Sequence, residues 1–126
     1  MILRRLLVVG VVVLHWPVLA AEEKGGAWTA GPKPLKGNYQ VYGGTLSEMT
    51  PPNRRDRKVS FMFKGPLAKE LFDQLGPDLK VSCSDAPGYR ERTRGDLSCT
   101  FTKEDGFTCY LGLDAVTGRS TNGAIC

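Results

Sequence analysis

The chain has 126 residues, with 17 Lys plus Arg against 13 Asp plus Glu, a single histidine and a formal net charge of +4. That surplus is too small for a protein that holds nucleic acid by bulk charge. Four cysteines, an even number, all fall from Cys83 onward.

The opening MILRRLLVVGVVVLHWPVLA places two arginines before an apolar run from Leu6 to Leu14, then small residues around Val18-Leu19-Ala20. This pattern predicts a secretory signal peptide over 1–20 and a periplasmic or secreted location. The apolar run falls short of the ~20 residues a membrane span requires, so no transmembrane span is expected in the mature form. Cleavage would remove His15, the only histidine, together with Arg4 and Arg5, leaving 15 basic against 13 acidic residues, or +2. Chemistry that needs an imidazole is then excluded: Ser-His-Asp or Cys-His catalysis, histidine-ligated zinc and a histidine pH switch.

Residues 21–37 carry four glycines and two prolines with little apolar periodicity, which predicts a flexible arm ahead of a domain over 38–126. NYQVYGG is a short strand candidate, and TPPNRRDR a loop. In KVSFMFK, Val59, Phe61 and Phe63 alternate with Ser60 and Met62, which predicts a strand. GPLAKELFDQLGP has Pro66 suited to a first helical turn, an apolar stripe of Leu67, Leu71, Phe72 and Leu75, and Gly76-Pro77 as a stop. One amphipathic helix of about three turns follows.

The remaining chain breaks into short runs separated by turns: DLKVSC, YRERTR, DLSCTFT, FTCYLGLD and RSTNGAIC. The expected fold is therefore α+β, one amphipathic helix packed on an antiparallel β-meander, stapled by two disulfides. Among three connectivities, Cys83 to Cys99 with Cys109 to Cys126 is favoured, because each closes a similar short loop and the second pins a chain end. No C-x2–4-C spacing brings two thiolates to one zinc, so neither metal nor cofactor is expected.

YRERTRGD raises the functional question. On a strand, Arg90, Arg92 and Arg94 project from one face while Tyr89, Glu91 and Thr93 point the other way. Such charge protects an exposed edge from unwanted pairing, and three guanidiniums in a row also suit carboxylate or phosphate. Arg54, Arg55 and Arg57 form a second basic cluster. Arg94-Gly95-Asp96 is read as a turn, because Gly and Asp serve turns and a three-residue match is weak evidence of adhesion. Beyond Glu22-Glu23 and the pair Glu104-Asp105, expected in a solvated hairpin tip, the acidic residues are scattered singly, and with no phosphate-binding glycine motif the sequence points away from an enzyme. The expectation is an exported non-catalytic binding module, of the inhibitor or immunity-factor kind, docking a protein or anionic envelope partner through the arginine-lined strand. The alternatives are a small histidine-free carboxylate-dependent hydrolase and a purely structural envelope protein.

Overall fold

The computed structural model describes Trp28 and residues 30–126. The signal peptide expected over 1–20 lies outside the described residues, as do residues 21–27 and 29 of the expected arm. The unit Lys33–Cys126 carries every element described below. In order these are β1 (Lys36–Gly44), β2 (Met49–Thr50), β3 (Lys58–Lys64), α1 (Gly65–Gln74), β4 (Arg90–Arg94), β5 (Leu97–Thr102), β6 (Gly106–Asp114) and β7 (Ser120–Thr121). The first strand thus begins two residues inside the stretch read as an arm.

Among the described residues the fold is mostly sheet with one helix. All pairings are antiparallel and the strand order is β2-β1-β3-β6-β5-β4, with β7 on β6. Since β3 lines one edge of β6 over Thr108–Asp114, β7 must continue the edge that β5 leaves after Ser98. The clean alternation of KVSFMFK is what makes β3 a central strand: Phe61 and Phe63 stack with centroids 6.0 Å apart on one face, while Ser60 and Met62 take the other.

The helix lies on the face carrying Phe63, Leu97, Cys99, Phe101, Phe107 and Cys109. Pro66 occupies its first turn, where the missing N–H costs nothing, and Ala68, Phe72 and Leu75 reach the core. Leu67, placed in the stripe by its spacing, is 37% exposed at the rim, and Ala68 takes the central position. Phe72 meets Phe107 at 5.1 Å between centroids, and Phe107 meets Phe101 at 4.8 Å. Lys69 and Asp73 pair one turn apart on the exposed side.

Both disulfides form, but the connectivity corrects the sequence reading: Cys99 joins Cys109 and Cys83 joins Cys126. Cys99 and Cys109 stand directly opposite one another in the β5–β6 ladder, with Cα atoms 4.0 Å apart and both side chains turned toward α1. The expected pairing of Cys109 with Cys126 fails on the sidedness of the sheet. β7 stops at Thr121, and the chain then crosses the face opposite α1, where the Ser60 hydroxyl donates to the Gly123 carbonyl. Cys126 is therefore on the wrong side for Cys109 and meets Cys83 instead. DLKVSC likewise departs from expectation. Despite its alternation it forms no strand, Val81 is 89% exposed, and the segment is tied to β4 by Leu79 N–H donating to the Glu91 carbonyl at 2.8 Å.

Candidate functional site

The arginine row projects from one face of β4, on the side of α1. There the guanidiniums have internal partners. Arg90 donates to both Asp78 oxygens at 2.7 and 3.2 Å, and Arg92 donates to Asp78 Oδ1 at 2.7 Å and to the Phe72 carbonyl at 3.0 Å. Their planes lie 5.1 and 4.3 Å from the Phe72 ring centroid. Arg94 reaches the Gln74 and Leu75 carbonyls at 3.4 Å. These carbonyls end α1 without intrahelical partners, and cations there complement the negative end of the helix dipole. Hydrogen bonds from Arg90 and then Arg92 hold the Asp78 carboxyl below the usual carboxylate range.

The second basic cluster lies elsewhere. Arg54, Arg55 and Arg57 are exposed in the loop entering β3, which Asp56 braces by accepting from Gly44 N–H at 2.7 Å and pairing with Lys58. Strands β6 and β5 separate β3 from β4. Three inter-strand steps of about 4.8 Å each therefore lie between the strands that carry the two clusters.

The opposite face of the same strands builds a cleft of about 500 Å³. Its floor is hydroxyl-rich: Thr93 from β4, Ser98, Thr100 and Thr102 from β5, Thr108 and Tyr110 from β6. Tyr89, the Cys83–Cys126 disulfide and the tail residues Asn122, Ala124 and Ile125 make its walls, and Asp105 joins the lining from the β5–β6 turn. Two glycines let the tail lie so close. A Cβ on Gly123 would fall inside the backbone of Leu111, and one on Gly112 would fall inside Thr121 and Asn122.

Glu91 is the buried charge of the cleft, only 7% exposed. Its Oε2 accepts from Cys83 N–H at 2.7 Å and from the Tyr89 hydroxyl at 3.3 Å. Its Oε1 lies 3.4 Å from Cys83 Sγ, which is bonded to Cys126 and has no proton to give. Among the described residues no other side chain or amide donates to that oxygen. Burial, followed by the Glu91 charge and hydrogen bond, pushes the Tyr89 phenol up to about 12. Tyr110 is raised as well, by burial and then by Asp105. Cys83, Glu91 and Cys126 cluster closely enough to suggest a metal site, but both sulfurs are consumed by the disulfide and offer no thiolate.

Sequence reasoning on YRERTRGD singles out the arginines and passes over the residues between them. A signal was present: Ser98, Thr100 and Thr102 alternate on the next strand, so the polar face of β5 lies beside Glu91 and Thr93. What no periodicity conveys is that the chain's last residues return to wall that face. Comparison with protein-family models, with curated proteins and with solved structures finds no match to this chain, so the cleft must be interpreted on its own chemistry.

Proposed function

We propose that this chain is an exported, non-catalytic binding module whose ligand enters the cleft opposite α1. The observation that carries this reading is the cleft itself: a concave site of small-molecule size, lined by hydroxyls and two phenols around one buried carboxylate. Two disulfides are consistent with an oxidising compartment, and they also frame the site, since Cys83–Cys126 is one of its walls. The non-catalytic reading rests on partners. Glu91 is held by an amide and a phenol rather than by a serine or lysine it could activate.

Blocking the floor tests the proposal. Thr100→Phe, on the cleft face of β5, should leave the folded spectrum intact and abolish ligand-induced thermal shifts across a polar small-molecule library. Equal shifts in the variant would overturn the cleft as the site. Turnover of any library member, lost in Glu91→Gln, would instead support the carboxylate-dependent hydrolase, with Asp105 as the second carboxylate of the cleft.

A second reading keeps the arginine-lined edge as a docking surface for an anionic or acidic partner, together with Arg54, Arg55 and Arg57. It is favoured by the charge left over: three guanidiniums less the one Asp78 carboxylate leave +2 on the arginine face of β4, Glu91 lying on the other face. Arg94→Ser should weaken retention on a poly-glutamate column and reduce its salt dependence, without loosening the core. Unchanged retention would end this reading.

A further inference from the structure

We infer that the cleft selects a small organic cation, specifically a primary ammonium carried on a hydroxylated skeleton such as an amino sugar or amino alcohol. The inference deepens the cleft reading above and depends on it. Charge comes first. Glu91 and Asp105 both line the cleft and, among the described residues, no lysine or arginine does; Lys64, outside the lining, stands 3.9 Å from Asp105. An anionic ligand would meet two like charges, and a neutral one would leave the Glu91 oxygen without a charged partner.

Geometry comes second. Glu91 is more than nine-tenths buried, lines the cleft, and has one oxygen stabilised by Cys83 N–H and Tyr89 while the other faces a disulfide sulfur that cannot donate. A buried carboxylate oxygen without a donor is costly, and an ammonium N–H would satisfy it with a charge-assisted hydrogen bond. The same ammonium has further acceptors beside it in the threonine hydroxyls of the floor. The phenol faces of Tyr89 and Tyr110 suit either a cation or the apolar face of a ring. Hydroxyls on the ligand skeleton then match a floor that offers mainly Thr and Ser, where an apolar skeleton would strand those groups without partners.

The test uses oxidised full-chain protein and three probes that separate charge from hydroxyls: glucosamine, glucose and cyclohexylammonium. Glucosamine should bind best by calorimetry, moving the backbone amide resonances of Thr100 and Thr108. Glucose, with the hydroxyls but not the charge, should bind about tenfold or more weaker, as should glucosamine to Glu91→Gln. Cyclohexylammonium should fall between them. Glucose binding as tightly as glucosamine, with Glu91→Gln indifferent, would overturn the cation inference while leaving the cleft as a site. No resonance shift in wild-type protein with any probe would overturn the inference, whatever the fate of the variant. If the Thr100→Phe protein also responds like wild type across the wider library, the cleft reading falls with it.

Discussion

Arg92 connects three structures at once: the Asp78 carboxylate, the last turn of α1 and the face of Phe72. Arg92→Ala should therefore cost about 2 kcal/mol of stability, measured by urea unfolding, because it removes a charged hydrogen bond and a cation–π interaction together. Arg94→Ala, whose hydrogen bonds are long, should stay within about 0.5 kcal/mol. Asp78 supplies a pH dependence of definite sign. Its folded pKa is depressed below the ordinary 3.8, so its contribution is present above that value and lost as pH falls through the folded value. Asp78→Asn should thus flatten the acid limb of stability against pH. Tyr89 acts at the other end. Its pKa is raised from 10.0 to about 12, so its contribution is whole below 10 and lost as pH climbs toward 12. An ultraviolet titration of the tyrosines should show a late step near 12 that moves down in Glu91→Gln.

At the scale of elements, Phe72 is the largest buried side chain that α1 sends into the core. Phe72 is fully buried between the helix and Phe107, with two guanidiniums over its ring. Phe72→Ala should cost about 3–5 kcal/mol and loosen the arginine row along with the helix, visible as loss of near-ultraviolet dichroism before loss of sheet signal. The tail is the other critical element, and its tolerance is steric. Gly123→Ala would drive a methyl into the Leu111 backbone, so the tail must lift from β6 and open the cleft wall. The expected readout is faster hydrogen exchange confined to residues 120–126, with the β4–β5–β6 core unchanged.

For the whole molecule, the nested disulfides predict a particular mapping result. Tryptic cleavage after Lys103, in the β5–β6 turn, should leave the two halves joined, since both bridges cross the cut. In the chain-entropy account a separation of 43 residues is worth about 4 kcal/mol and one of 10 residues about 3 kcal/mol. Replacing Cys83 and Cys126 by Ala should therefore be the more destabilising of the two pair deletions by that account. Replacing Cys99 and Cys109 additionally empties core volume beneath α1, so the measured gap should be narrower than the entropic one. Mass spectrometry after cleavage and urea unfolding of both variants would check this.

Local patterning carried a good share of this architecture. The alternation of KVSFMFK, the helix with Pro66 in its first turn and Gly76-Pro77 as its stop, and the Gly95-Asp96 turn each depend on neighbours within a few residues, and each is found as expected, with Gly95 at φ 57 and Asp96 accepting from Ser120. Period-two logic also separated Arg90, Arg92 and Arg94 from Glu91 correctly, because a strand sends successive side chains to opposite faces whatever surrounds it. Three matters were decided only in three dimensions. Which cysteines meet depended on the side of the sheet from which each approaches. Asp78 and the end of α1 fell beside the arginines because the helix folds back over β5 and β6. The cleft exists because Cys126 returns across the sheet to Cys83. Each brings together residues far apart in the chain, and periodicity reports only the face a side chain takes, not what arrives to cover it.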